Sequence, residues 1–253
     1  MAYPVSVVLI TFNEERNVRA ALESAKWADE IVVVDSLSTD NTASICREYT
    51  DQVYSEPWKG FARQKAQAVG LAKNDWVFVL DADERITEGL AEEIKGLVEA
   101  GPENDGYFCA RRNHFGGKEI RHGGWYPDYS IRFFNRTKGS FGDRAVHEAV
   151  EINGTVGYLA NPMLHYTYAG ITDYLVRMDK YSTLASEELV KAGRKAGITD
   201  LLVRPPFTFI KMYLLKQGFR DGMHGLAIAM LYSFYTFSKY AKLWEWQINE
   251  GRN

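Results

Sequence analysis

Three apolar, largely β-branched runs, each followed at once by polar and acidic side chains, constrain this chain more than any other feature. They are Val5-Ser-Val-Val-Leu-Ile10, Ile31-Val-Val-Val34 and Trp76-Val-Phe-Val-Leu80. A strand with one wet face alternates apolar and polar residues, whereas an unbroken run is covered on both faces. After the first run, Val18, Leu22 and Ala25 recur at i, i+4 and i+7, the spacing of one helical face, with Asn13 as the expected cap. Ser36 to Thr42 reads as a loop, and a short strand at 52–54 and a helix over 60–73 precede the third run. Strand–helix repetition of this kind predicts a parallel sheet with right-handed crossovers.

Ligands of such sheets bind beyond the carboxyl ends of the strands. The three ends here carry Thr11 to Glu14, Asp35 to Asp40, and Asp81-Ala82-Asp83. No strand–GxGxxG–helix unit and no GxxxxGK[ST] loop is present, which disfavours a dinucleotide reductase and a P-loop NTPase. Carboxylate in place of glycine points to phosphate held through a divalent metal. Residues i and i+2 of a strand share a side, so Asp81 and Asp83 can face one site. A hard cation such as Mg²⁺ or Mn²⁺ takes such oxygens together with phosphates and water. The plainer alternative is that Asp83 caps a helix beginning near Thr87.

From Tyr107 to Tyr168 the pattern changes to short alternating segments, with turns marked by Gly116-Gly117, Gly123-Gly124 and Asn153-Gly154, the last a hairpin signal. Antiparallel additions to the sheet are expected there. Beyond Gly170 the chain reads as helices over 172–192, 207–219 and 222–247, with Arg204-Pro-Pro206 as the breaker. The expected division is an α/β catalytic region over 1–170 and a helical region over 171–253.

Composition narrows the function classes. With 253 residues, 46% apolar, 25% charged and a net charge of −3, the chain is neither disordered nor a general nucleic-acid binder. Its two cysteines, Cys46 and Cys109, make no disulfide framework, so a reducing cytosol is expected. The start lacks the basic run of a signal peptide, and the most apolar stretch, 226–237, is too short to span a bilayer. From Arg204 to Asn253, seven Lys/Arg face three Asp/Glu, and eleven of the 34 aromatics fall there. That composition suits helices lying on an anionic membrane, with Lys211, Lys216, Arg220, Lys239 and Lys242 toward the headgroups. A homodimer is the alternative use of the same faces.

Val7-Val-Leu-Ile-Thr11-Phe-Asn13-Glu14, Ile31-Val-Val-Val-Asp35-Ser36 with Ser38-Thr-Asp40-Asn-Thr42, and Val79-Leu-Asp81-Ala-Asp83 resemble the three signatures of family 2 glycosyltransferases. Trp125-Tyr126-Pro127, Arg132-Phe-Phe-Asn-Arg136 and Val146-His147-Glu148 resemble the branch containing bacterial lipopolysaccharide inner-core β-1,4-glucosyltransferases. The resemblance implies an α/β, Rossmann-like GT-A fold: a mostly parallel sheet with antiparallel additions, plus C-terminal amphipathic helices. It implies inverting, metal-dependent transfer of a hexose, glucose from UDP-glucose, to a lipid-linked saccharide such as the heptose of the inner core. The enzyme would then work in the cytoplasm, peripheral at the inner leaflet of the inner membrane. A polyprenyl phosphate acceptor, or a non-catalytic membrane-bound relative, is the rival reading.

Carried over by position, Thr11, Asn13 and Glu14 line the nucleoside pocket and Asp35 takes the uracil edge. Arg63 and Lys65 approach the base or the diphosphate, with a solvated helix face as their alternative. Asp81 contacts the ribose, Ala82 lies between, and Asp83 holds the Mg²⁺ or Mn²⁺. Glu148 is the general base, with Asp143, Glu151 and Asp128 as nearby contenders. His165 or His147 is a further metal ligand, and His165 is preferred because strand alternation turns His147 away from Glu148. Trp125, Tyr126 and Arg132 meet the acceptor.

Overall fold

The computed structural model describes residues 3–142 and 150–250. Along the chain run β1 (Val5–Thr11), α1 (Val18–Ala25), β2 (Glu30–Asp35), α2 (Thr42–Arg47), β3 (Val53–Ser55), α3 (Phe61–Leu71), β4 (Trp76–Asp81), β5 (Glu84–Arg85) and α4 (Glu88–Ala100). Then come β6 (Gly106–Phe115), β7 (Lys118–Glu119), β8 (Asp128–Asn135), β9 (Gly139–Phe141), β10 (Val150–Ile152), β11 (Val156–Tyr158) and β12 (Met163–Tyr168). The helices α5 (Ile171–Lys191), α6 (Ile198–Leu202), α7 (Arg204–Ile210) and α8 (Met223–Glu250) complete it, with a π-helical turn at Lys211–Leu215 and a 3₁₀ turn at Gly218–Asp221. The chain forms two compact units, Met1–Arg112 with Asp128–His165, and Asn113–Pro127 with Tyr166–Asn253.

The first unit is built on the sheet, whose strand order is β3-β2-β1-β4-β8-β6-β12-β5. β1 pairs in parallel with β2 and β4, and β2 with β3, while β8 runs antiparallel to β4 and β6. The expected parallel half with antiparallel additions is therefore present. The unbroken apolar runs have the reason given for them. Val7 and Leu9 of β1, Ile31 and Val33 of β2, and Phe78 and Leu80 of β4 enter one core with α1 and α4. Their alternate neighbours Val8, Ile10, Val32, Val34, Val77 and Val79 enter a second core with Ala68 and Val69 of α3. Two apolar faces need apolar residues at every position, because side chains alternate across a strand.

Three local expectations need correction. Asn13 does not cap α1, which begins five residues later; it adopts φ +54 and its Oδ1 accepts from Thr39 N at 2.8 Å. Asn153-Gly154 does not close a hairpin, since β10 pairs with β9 and β11 pairs in parallel with β6. Pro205 lies within the first turn of α7 instead of ahead of it, a place where a missing N–H leaves no bond unmade.

The second unit gathers the C-terminal helices and residues 113–127 around Phe115, Ile120, Trp125, Tyr174, Met178 and Met212. Gly116 and Gly117, at φ +56 and +80, make the two-residue turn between β6 and β7, a conformation that a side chain disfavours at both positions. Of the five cations expected at headgroups, three are engaged within this unit, Arg220 through its Nη1 donating to Gln217 Oε1 at 2.9 Å. Lys242 Nζ reaches Asp179 Oδ1 at 2.7 Å and Ser182 Oγ at 2.9 Å. Lys239 lies over the Tyr235 and Tyr240 rings, and burial, then Arg204 and Arg194, lower its ammonium pKa. Among the described residues no helix is long and apolar enough to cross a membrane.

Candidate active site

Strand register assembles the site. Thr11 lies opposite Asp35, and Ile10 opposite Asp81, so the ends of β2, β1 and β4 finish at one edge. Asp35 is 1% exposed and organises the loop after β2. Its Oδ2 accepts from Ser38 N at 2.9 Å, and its Oδ1 from Thr11 Oγ1 at 3.0 Å and Ser38 Oγ at 2.5 Å. The loops interlock further: Asn13 N donates to Ser38 Oγ at 2.9 Å and Glu14 N to Thr42 Oγ1 at 2.8 Å. Asn13 is exposed and Glu14 half-buried. Phe12, 55% exposed between Thr11 and Asn13, is a site candidate absent from the sequence reading. Its signal was an aromatic breaking an otherwise polar strand end.

Asp81 is held by two buried cations. Lys65 Nζ on α3 lies 2.8 Å from Oδ1, and Arg132 Nη2 on β8 lies 2.9 Å from Oδ2. Burial alone disfavours a charged carboxyl, but Lys65 and Arg132 overcome it and keep Asp81 well below the usual carboxylate range. Burial likewise opposes the Arg132 charge, and Glu84 and Asp81 outweigh it, raising the guanidinium pKa. Lys65 is thus an interior residue and not part of a solvated helix face, whereas Arg63 is exposed.

The turn after β4 contains a residue that sequence reasoning missed. Glu84 is completely buried. One carboxylate oxygen accepts from Asp81 N at 3.0 Å; the other meets Arg132 Nη2 at 2.5 Å and lies 3.7 Å from Arg111 Nη1. Arg111 Nη2 continues to Asp128 at 2.9 Å, so Asp128 belongs to this ion-pair chain. Arg85 Nη1 donates to the Ala82 carbonyl at 2.8 Å, which fixes the small middle residue of the acidic triplet. The available signals were a third acid directly after Asp83 and two arginines interrupting strands of apolar residues.

Asp83 has a different neighbour. Its Oδ2 lies 3.5 Å from His165 Nε2, because β12 pairs with β5 and sets His165 opposite Glu84. It does not cap α4; Thr87 does, its Oγ1 accepting from Leu90 N at 3.2 Å. One carboxylate oxygen and one imidazole nitrogen form a donor set that suits Mg²⁺ or Mn²⁺ when phosphate and water supply the rest. Among the described residues no group of three or more His, Cys, Asp or Glu is arranged to hold a metal.

The remaining candidates separate. Trp125 is 7% exposed within the second unit's core, its ring against Phe115, Tyr168 and Tyr232. It packs, and has no open face for a sugar. Tyr126 beside it is 41% exposed. Arg132, expected to point at an anionic acceptor, has its guanidinium engaged by Asp81 and Glu84. Glu148, His147 and Asp143 lie outside the described residues, and Glu151 is exposed on β10.

Comparison with known proteins places this geometry. Residues 6–151 match the sequence pattern described as glycosyl transferase family 2. A lipopolysaccharide core biosynthesis glycosyltransferase, LpsC, of Rhizobium meliloti is 32% identical over 96% of this chain and 92% of its own. A glycosyltransferase of Rickettsia typhi with no assigned activity is 29% identical over 95% of this chain and 87% of its own. The crystal structure of Staphylococcus aureus TarS 1-349 in complex with UDP-GlcNAc is similar in fold, with a TM-score of 0.52 at 15% identity over 94% of this chain and 92% of that one. The sheet with its antiparallel additions and C-terminal helices is a GT-A fold. The chain is a glycosyltransferase and belongs to glycosyl transferase family 2.

Proposed function

We propose that this enzyme transfers glucose from UDP-glucose, with inversion, to a lipid-linked saccharide such as the heptose of the lipopolysaccharide inner core. The acceptor class follows from the likeness to LpsC along nearly the full length of both chains. The donor end rests on one observation: of the two carboxylates in Asp81-Ala82-Asp83, one is compensated internally and the other is not part of that pairing. Asp81, fixed as the anion by Lys65 and Arg132, can accept from a ribose hydroxyl. Asp83, with His165, would hold Mg²⁺ or Mn²⁺. When bound, the ion would stabilise the negative charge gathering on the departing diphosphate.

Thr11, Asn13, Glu14 and Asp35 line the nucleoside side of this reading, with Arg63 at its outer helix. On the opposite face of the sugar, Glu148 takes the proton of the acceptor hydroxyl as that oxygen bonds to C1. The C1–O bond to the diphosphate breaks, and UDP leaves with the electron pair. A carboxylate enclosed by substrate is suited to this work because enclosure raises its proton affinity. Tyr126 supplies an exposed ring for the acceptor sugar.

Titration with UDP and with UDP-glucose, each with and without Mn²⁺, tests the donor end. Ligand at 100 times its Kd stabilises the folded chain by about 2.7 kcal/mol, an easily measured rise in melting temperature. Asp83→Ala should remove the Mn²⁺-dependent part of that rise. A variant that keeps it refutes the metal assignment, and a wild type indifferent to UDP-glucose refutes the donor.

A further inference from the structure

We propose that the outward face of α7, the turns that follow it and the first residue of α8 form a docking surface for an anionic lipid bilayer. Helical spacing separates the two sides of α7. Pro205 and Thr208 face α8, where Ser233 Oγ donates to the Pro205 carbonyl at 2.8 Å and the Thr208 and Thr236 hydroxyls lie 3.2 Å apart. Phe207, Ile210 and Leu214 recur at i, i+3 and i+7 on the other side, each 44–57% exposed. Leu215, Phe219 and Met223 extend the apolar surface through the turns, at 68%, 49% and 75% exposed. An apolar patch of this extent marks an interaction site.

Charge decides the occupant. Between Arg204 and Arg220 the sequence holds four Lys/Arg and no Asp/Glu. Arg204 is turned onto Asp200 and the Tyr240 ring, but Lys211, Lys216 and Arg220 are exposed among the apolar side chains. A second copy packing by two-fold symmetry would set these cations against themselves. A bilayer bearing anionic headgroups accepts both features at once, the rings and aliphatic chains below and the cations at headgroup level. Since no described helix is able to cross, the surface lies on the membrane.

The full chain is sedimented with phosphatidylcholine vesicles, with and without phosphatidylglycerol, at low and high salt. Binding should require phosphatidylglycerol and weaken with salt. Each cation near such a surface contributes roughly fivefold, so K211Q/K216Q/R220Q should bind roughly a hundredfold more weakly. Leu214→Glu, which changes an exposed side chain only, should also release the protein, and circular dichroism should show both variants folded. Equal binding to neutral vesicles overturns the proposal, as does a triple variant that binds like wild type. A dimer that ignores vesicles and is split by Leu214→Glu assigns the face to a second copy, and also overturns it. The vesicles carry no saccharide, so the result is independent of the donor and acceptor reading.

Discussion

Replacing Lys65 with Met asks whether the charge on Asp81 depends on its two cations. Lys65 is 7% exposed with Nζ 2.8 Å from Asp81 Oδ1, and Met keeps most of its volume. At an effective dielectric of about 20, two unit charges this far apart attract by roughly 6 kcal/mol, part of which is offset by the ammonium's lost hydration. Arg132 stays 2.9 Å from the other oxygen, so the carboxylate keeps one partner. The expected loss is about 3 kcal/mol, the lower end for a broken buried pair. Its pH dependence has a definite sign. The folded Asp81 carboxyl lies below its unfolded value, so its stabilisation is complete above pH ~4 and fades as pH falls through the folded value. The gap between variant and wild type should therefore be widest at pH 7. As pH falls through the variant's own Asp81 value, which loss of Lys65 brings up toward the ordinary range, it should narrow by up to about 1.4 kcal/mol per unit. Urea unfolding followed by circular dichroism at pH 7 and near pH 3 measures both. A gap under about 1 kcal/mol at pH 7 refutes the reasoning. An equal gap at both pH values refutes it too, because a packing defect does not titrate.

Trp125→Ala should destabilise the chain by about 3–5 kcal/mol, because it empties an aromatic core position, and urea unfolding checks it. Tyr126→Ala, at an exposed position, should stay within about 0.5 kcal/mol of wild type yet raise the acceptor KM; an unchanged KM removes Tyr126 from the acceptor site. Glu148→Gln should leave UDP-glucose affinity intact while lowering kcat by about 10²–10⁴-fold in a glucosyl-transfer assay, and near-normal turnover would move the base elsewhere.

The parallel half of the sheet was legible because each strand is covered on both faces, and double burial writes an unbroken apolar run. Chain direction then set the polar strand ends together, so Thr11, Asp35 and Asp81 could be grouped without coordinates. What sequence left out lies in side chains whose partners are distant along the chain. Glu84 meets Arg132 and Arg111 from two other strands, and nothing local distinguishes a buried, fully paired glutamate from a solvated one. Lys65 had the same ambiguity on an amphipathic helix. Trp125 misled because its glycine and proline neighbours signal a loop, while burial is decided by the aromatic side chains that converge on it from Phe115, Tyr168 and Tyr232. Lys239 and Lys242 were counted as surface charge because composition registers a cation but not its partner.

The difference between Asp81 and Asp83 follows from where the strand stops. Asp81 is the last residue of β4, still paired in the sheet, and its carboxylate is reached from α3 and from β8. Two full cations on one half-buried carboxylate leave it a strong hydrogen-bond acceptor but a poor anchor for a further positive ion, since a metal there would face Lys65 and Arg132 directly. Asp83 lies beyond the strand, in a turn whose backbone is tied down by Glu84 at Asp81 N and by Arg85 at the Ala82 carbonyl. His165 Nε2 lies 3.5 Å from Asp83 Oδ2. An imidazole nitrogen beside a carboxylate oxygen is a ligand pair. His165→Asn should accordingly weaken Mn²⁺-dependent donor binding while UDP binding without metal stays unchanged. A variant whose Mn²⁺ dependence equals that of wild type would separate His165 from the ion.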